Sequence, residues 1–430
     1  MKEILKTAIL DVHQKFPIKD ITPRELNIPS QPKQIITLIG PRRCGKTYFF
    51  YSLINKLLQD GISKDQILYF NFEDERFDFD ASNLQILLDA YFELFPQNAN
   101  KKFYCFFDEI QQVENWEKFL RRIKDTFNPF IFITGSSSKL LSSDIATALR
   151  GRSIVFNLYP FSFREFCAHL NLQTNEIDST RSITLLHSYF QDYLVNGGYP
   201  ETIDPAENIK TRILQSYFNV MIYKDIIERF NVSNHVALKQ FMKQLSSTIT
   251  SEFSINKIYN DLKSNQINVS KNQLYDFLGY CQDCFLFFLH YPYEFSERKT
   301  LKSRKKCYFI DNGLLKNITT YFSDNSGKLL ENLVFIELTR QEKELYFFHN
   351  GFECDFMVSE NNQTSQIIQV AWDVTDQKTL SREIKPLLYL AKKYPEAELF
   401  IINNSIDKIV MEDTEQIKLI PAWKWALTDI

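Results

Sequence analysis

The chain has 430 residues, of which 44% are hydrophobic: too long for one typical domain, with about three expected, and too apolar to be disordered. A net charge of −3 excludes indiscriminate coating of nucleic acid, while a local basic face stays compatible with it. No apolar run approaches ~18 residues and no secretory leader is evident, so a cytoplasmic protein with no membrane partner is expected; seven scattered cysteines read as reduced thiols.

Residues 1–33 carry Pro17, Pro23, Pro29 and Pro32, which interrupt regular structure and predict a short helix followed by an extended arm. The apolar run 35–39 reads as a buried strand. It leads into Gly40-Pro41-Arg42-Arg43-Cys44-Gly45-Lys46-Thr47, which matches G-x-x-x-x-G-K-[ST] at every fixed position. From Tyr48 onward Phe49, Phe50, Leu53, Ile54, Leu57 and Leu58 give helical spacing. A glycine turn between strand and helix aims backbone N–H groups and the positive helix end at one spot, a binding place for phosphate. Lys46 is then expected to reach the β- and γ-phosphates, and the Thr47 hydroxyl to ligate Mg²⁺.

Strand and helix patterns continue to alternate, which predicts an α/β fold with a parallel sheet. Residues 67–72 form the second strand, and Glu73, Asp74 and Glu75 after it read as a solvated loop. The third strand, 103–107, ends in Asp108-Glu109. A carboxylate at the end of an interior strand can hold Mg²⁺ directly or through water, and Glu109 can orient and deprotonate an attacking water. Trp116, Phe119, Leu120 and Ile123 form the core stripe of a helix. A fourth strand, 130–134, runs into Gly135-Ser136-Ser137-Ser138. Thr134 or Ser136 are candidates to sense the γ-phosphate, and a helix N-cap is the competing role for these serines. Arg150 and Arg152 precede the fifth strand, 154–158. Either can serve a neighbouring subunit's γ-phosphate, or the pair is a surface turn.

The stretches G-P-R-R-x-G-K-T, F-F-D-E-I-Q with Trp116 downstream, I-T-G-S-S and L-R-G-R resemble a family of prokaryotic AAA-like P-loop ATPases whose C-terminal half is a domain of unknown function. The blocks from Tyr159 to Phe166, Gly197 to Glu201 and Tyr223 to Ile226 look like that family's next blocks, so the resemblance covers nearly the whole chain. It implies ATP as the nucleotide, with residues 34–159 as the ATPase domain and residues 160–231, helical by periodicity, as a lid over the site.

Residues 232–310 read as three helices and two strands, with Ser254 and Ser270 as helix caps, and resemble a winged helix. The expected hairpin carries Arg298, Lys299, Lys302, Arg304, Lys305 and Lys306 near its tip, a cationic cluster that can neutralise phosphates of DNA. The helix with Lys271, Asn272, Gln273 and Tyr275 also holds Asp276 and Asp283, so a protein-interaction role competes with DNA binding. Cys281 and Cys284 lack a second pair at zinc-ligand spacing and read as buried thiols.

Residues 311–430 give helix, hairpin, strand, helix, strand, with Asn350-Gly351 as the hairpin turn. That order resembles the restriction-endonuclease-like, PD-(D/E)XK-like fold. Glu331, Asp355 and Gln369 match three positions of its metal site, and Ala371 stands where the resemblance implies a lysine. Lys385 on the next helix is a candidate substitute. The expectation is a degenerate nuclease-like module attached to a Mg²⁺-dependent ATPase that works as a nucleotide-driven switch, as a possible homo-oligomer. The alternatives are an ATP-gated nuclease and a slow-hydrolysing signalling scaffold.

Overall fold

The computed structural model describes all residues except 78, 80–82, 136–148, 175–178, 294–302, 319–324, 362 and 429–430. Among the described residues the chain divides into two compact units, Met1–Tyr159 and Pro160–Ile430.

The first unit contains α1 (Lys2–Lys15), β1 (Ile35–Ile39), α2 (Lys46–Gln59), β2 (Ile67–Asn71), α3 (Asn83–Leu94), β3 (Tyr104–Asp108), α4 (Trp116–Thr126), β4 (Phe130–Gly135) and β5 (Ser153–Asn157). The five strands form one parallel sheet in the order β2-β3-β4-β1-β5. β1 and β3 are buried along their whole length, as expected of a continuous apolar run covered on both faces. β4 lies between the strand that feeds the glycine loop and the strand that ends in Asp108. The residue at the end of β4 therefore stands between those two features. Phe50, Phe106, Phe132 and Leu38 form the core, with the Phe106 and Phe132 rings stacked at 4.7 Å. Phe16 and Ile28 of the N-terminal arm pack into the same core.

The second unit begins with α5 (Phe163–His169), α6 (Thr180–Asn196) and α7 (Glu207–Val220), which runs on as a π-helical stretch, Met221–Glu228. Then follow α8 (His235–Ser247), β6 (Glu252–Phe253), α9 (Ile255–Ser264), α10 (Lys271–Asp283), β7 (Phe287–Pro292), β8 (Lys305–Phe309) and α11 (Asn312–Lys316). The remainder is α12 (Ser326–Arg340), β9 (Glu344–His349), β10 (Glu353–Glu360), β11 (Gln363–Val370), α13 (Gln377–Ala391), β12 (Glu398–Asn403), β13 (Lys408–Glu412), β14 (Glu415–Pro421) and α14 (Ala422–Trp425). Ser270 caps α10 by accepting from the Gln273 N–H, and the Gln273 side chain returns the bond.

Among the described residues the strands form one mixed sheet, β13-β14-β12-β11-β10-β9-β7-β8-β6. β7 pairs in parallel with β9 through Tyr291 and Tyr346. This pairing joins the segment expected to be a separate winged helix to the one expected to be nuclease-like, so residue 310 marks no break in packing. The Gly197-Gly198 turn serves the same continuity. The Asp311 carboxylate accepts the Gly198 N–H at 2.8 Å and the Leu314 N–H at 2.9 Å. A Cβ at Gly197 would sit 2.1 Å from Asp311 Oδ1, and its φ is 77°. Only glycine fits there.

Candidate functional site

The glycine loop leaves β1 and enters α2 through Gly45, whose φ of 100° lies in the left-handed region. Lys46 is only 6% exposed. Its ammonium donates to the Gly40 and Pro41 carbonyls, each at 3.0 Å, and the Glu109 carboxylate stands 3.9 Å away. The loop thus holds a buried cation that is satisfied by neutral carbonyls and, among the described residues, has no carboxylate in direct hydrogen-bond contact. Such a group attracts an anion, and phosphate fits it. Arg24 of the N-terminal arm fixes the loop from behind, donating to the Cys44 carbonyl at 2.9 Å and to the Tyr159 carbonyl at 2.6 Å. Arg42 pairs with Glu73 at 3.2 Å, so one member of the acidic loop touches the glycine loop. Tyr48 is exposed, Cys44 is buried, and Arg43 adopts a φ of 65°.

Asp108, at the end of β3, is buried and receives three hydroxyls. Thr47 donates to Oδ2 at 2.7 Å, Tyr69 donates to Oδ2 at 3.0 Å, and Thr134 donates to Oδ1. Burial, and then the neighbouring Glu109 charge, push the Asp108 carboxyl above its ordinary range, while the three donors oppose that shift. Glu109 occupies the left-handed region at φ 55°, a conformation that costs a non-glycine residue roughly 1–2 kcal/mol. Its backbone N–H donates to Thr134 Oγ1 at 2.9 Å, and Gln111 donates to its carboxylate. Thr134, next to last in β4, therefore ties both acids together. Its hydroxyl is committed to Asp108. Ser136 lies outside the described residues. Arg150 is exposed at a φ of 52°, and Arg152 pairs with Asp125 at 3.2 Å.

The second unit also assembles an ionisable cluster. Glu331 on α12, Asp355 on β10 and Gln369 on β11 lie near one another, at a register shift in β10 between Cys354 and Met357. Gln369 is fully engaged: its Oε1 accepts the Asp355 N–H and its Nε2 donates to Glu383, each at 2.8 Å. Ala371, where the resemblance implies a lysine, carries no charge, and the ammonium found in the cluster is that of Lys306 on β8. Its ammonium lies 3.0 Å from Glu331, 3.3 Å from Asp355 and 2.5 Å from Glu353. Lys306 is 1% exposed, which corrects its place in the expected basic tip. Lys385 is exposed on α13 and is not the cation of this cluster. Of the other tip residues, Arg298, Lys299 and Lys302 lie outside the described residues, Arg304 pairs with Glu252 at 3.7 Å, and Lys305 lies over the Tyr291 ring. Cys281 and Cys284 are buried free thiols.

Residues 32–167 match the family model described as an AAA domain, and residues 187–325 match a domain of unknown function, DUF8612. The chain is 37% identical to the uncharacterized protein MJ1544 of Methanocaldococcus jannaschii, covering 99% of this chain and 96% of that protein. It is 31% identical to an uncharacterized protein of Haemophilus influenzae, covering 84% of this chain and 87% of that one. The chain belongs to this family of AAA-domain proteins. Among solved structures, Cdc6p from Pyrobaculum aerophilum aligns over 76% of this chain and 93% of its own, at 11% identity and a TM-score of 0.27.

The sequence did not single out Arg24 and Tyr69 for their places around the glycine loop and Asp108 in the first unit, nor Lys306 for its place in the acidic cluster of the second. The available signals were slight. Tyr69 is the one phenol in an otherwise apolar strand before Asn71, and Arg24 is the one arginine in a proline-rich arm that also holds Lys19 and Lys33.

Proposed function

We propose that this protein hydrolyses ATP in a Mg²⁺-dependent cycle that works as a switch. The observation that carries this reading is the Asp108 carboxylate, gripped by Thr47 from the glycine loop and by Thr134 from β4, with Glu109 next to it. Thr47 and Asp108 are the residues that would hold Mg²⁺, which when bound neutralises charge on the phosphate oxygens. Lys46 exchanges its contacts with the Gly40 and Pro41 carbonyls for phosphate oxygens. Glu109 accepts a proton from the attacking water as its oxygen bonds to the γ-phosphorus and the bond to the leaving ADP oxygen breaks. A left-handed Glu109 fixed by the Thr134 hydroxyl keeps that carboxylate from collapsing onto Asp108. Arg150 or Arg152 would complete the site of a second copy.

Lys46→Ala is expected to abolish nucleotide binding. Glu109→Gln is expected to keep binding while turnover falls by about 10²–10⁴-fold, the usual worth of a positioned general base. Turnover retained in both variants would sink the assignment.

For the second unit we favour a binding module of restriction-endonuclease-like ancestry over a working nuclease. Lys306 fills the space among the acids, and Gln369 has spent both its polar atoms on neighbours. Removing Lys306 from the cationic count also shifts residues 232–310 toward protein recognition and away from DNA. The nuclease reading keeps one supporting observation, that an ammonium does lie beside Glu331 and Asp355. DNA and RNA incubated with Mg²⁺ or Mn²⁺, with and without ATP, test it directly. Cleavage lost in Asp355→Asn would establish the nuclease, and no cleavage under any condition would end it.

A further inference from the structure

β13, the strand at one edge of the second unit's sheet, has the sequence Lys408-Ile409-Val410-Met411-Glu412. β14 pairs with it on one side, and among the described residues no strand pairs with the other. Edges of this kind are usually blunted by a central charge, a proline or a bulge. Here the middle three residues are apolar, and Ile409 and Met411 are 60% and 62% exposed. They share one face of the strand, where their neighbours on β14 are the polar Lys418 and Gln416. Val410 faces the other way and packs against the hydrophobic core.

The hairpin geometry says which backbone groups are open. Asp413 and Thr414 both have positive φ, 47° and 73°, so a two-residue turn joins Glu412 to its partner Glu415. The pair that closes such a turn exchanges hydrogen bonds, and the pattern alternates along the strand. Glu412, Val410 and Lys408 therefore spend their N–H and C=O groups on β14. Those of Met411 and Ile409 point outward.

We propose that β13 is a self-association edge that takes β13 of a second copy in antiparallel register about Val410. In that register Ile409 of one copy opposes Met411 of the other, and the outward N–H and C=O groups of these residues form the ladder. Their side chains meet on the exposed face. On the opposite face Lys408 of each copy opposes Glu412 of the other, so both ends of the strand are matched in charge. Neither residue makes an ion pair with another described residue in the single chain. The sequence is self-complementary only in this antiparallel arrangement, since parallel pairing in register would set Lys408 against Lys408 and Glu412 against Glu412.

The test uses the full chain without nucleotide, by sedimentation velocity over roughly 1–200 µM, the range suited to a small interface. Wild type is expected to dimerise reversibly. Lys408→Glu and Glu412→Lys alone turn both cross-strand pairs repulsive and should each weaken the dimer on the order of 10- to 30-fold. The double variant carrying both changes should recover wild-type association. An equimolar mixture of the two single variants should form a heterodimer, because all-acidic and all-basic strands then face each other. Positions 408 and 412 are exposed, so circular dichroism and thermal midpoints should match wild type. A monomeric wild type, association unchanged in the single variants, or no recovery in the double variant and the mixture would each overturn the proposal.

Discussion

The Lys306 ammonium lies 3.3 Å from the Asp355 carboxylate, on strands whose sequence positions are 49 residues apart, and it also meets Glu331 and Glu353. Three carboxyl groups, Asp355 and Glu331 largely buried and Glu353 at the exposed rim, surround one ammonium. Burial and the neighbouring Glu331 push Asp355 up to about 7, while Lys306 opposes the rise. Burial also works against the charged Lys306, yet Tyr308, Glu331, Asp355 and Glu353 hold its ammonium well above the ordinary range. The cluster is thus held together by one cation.

Lys306→Met should therefore destabilise the second unit by about 3–5 kcal/mol at pH 8, the usual cost of breaking a buried ion pair. The deficit should depend on pH. Without the ammonium the folded-state pKa of Asp355 moves further above its unfolded value. A carboxyl raised in this way penalises the fold least below its unfolded pKa, and increasingly as pH climbs toward the folded pKa. The variant should consequently recover much of its loss at pH 5. Urea unfolding of both proteins at pH 5 and pH 8 measures this, and an equal deficit at the two values would contradict it.

A second expectation concerns the hydroxyls on Asp108. Thr134→Val keeps the shape of the side chain but leaves the Glu109 N–H without its acceptor and Asp108 without one donor. Leaving a buried donor unmade costs about 1–3 kcal/mol, so turnover should fall roughly 10- to 100-fold. Tyr69→Phe removes one of three donors and the 3.4 Å contact with the half-buried Tyr51 hydroxyl but leaves the Glu109 N–H paired, so a drop of roughly 2- to 10-fold is expected. ATP affinity should change little in either. Steady-state turnover with a Mg²⁺ titration separates the two effects, and equal losses in both variants would contradict the bridging role of Thr134.

How much of this was readable beforehand follows from the range of the interactions. Gly45, Lys46 and Thr47 are adjacent in the chain, so the phosphate loop and its flanking strand and helix follow from local pattern. Asp108-Glu109 is legible because a strand end is a local feature. The contacts from Tyr69 to Asp108 and from Thr134 to Asp108 depend on which strands are neighbours. Insertion of β4 between β1 and β3 is set by packing of the whole sheet. Lys306 was misread for the same reason: beside Arg304 and Lys305 it looks like part of an exposed run. Strand alternation places it on the inner face, but only the pairing of β8 with β7 and the approach of α12 say that acids wait there.

The arm before β1 gives a third test. Arg24 donates to carbonyls of Cys44 in the glycine loop and Tyr159 after β5. Hydrogen bonds from charged groups contribute about 1.5–3 kcal/mol, here spent on loop order. Arg24→Gln should lower the melting transition of the first unit and raise the ATP concentration for half-maximal binding, with turnover at saturation nearly preserved. Fluorescent-nucleotide titration and saturating-ATP kinetics distinguish this from a catalytic role. A loss confined to saturating turnover would count against it.

Asp311 offers the last test, through pH. Burial raises its carboxyl to about 6, against the hydrogen bonds from Gly198, Leu314 and Gly313 that favour the charged form. Because the folded pKa exceeds the unfolded one, near 3.8, this group favours the fold most below about pH 4. Its contribution then declines as pH rises to about 6, at up to ~1.4 kcal/mol per pH unit, and stays flat above. Asp311→Asn removes the titration and sets an amide N–H₂ against either the Gly198 or the Leu314 N–H. The variant should be destabilised by about 1–3 kcal/mol at pH 7 through that unmade bond. Its stability should also change less than that of wild type between pH 4 and pH 6. Denaturant unfolding of both proteins across that interval reads the difference in slope, and parallel pH profiles would remove Asp311 as the titrating group.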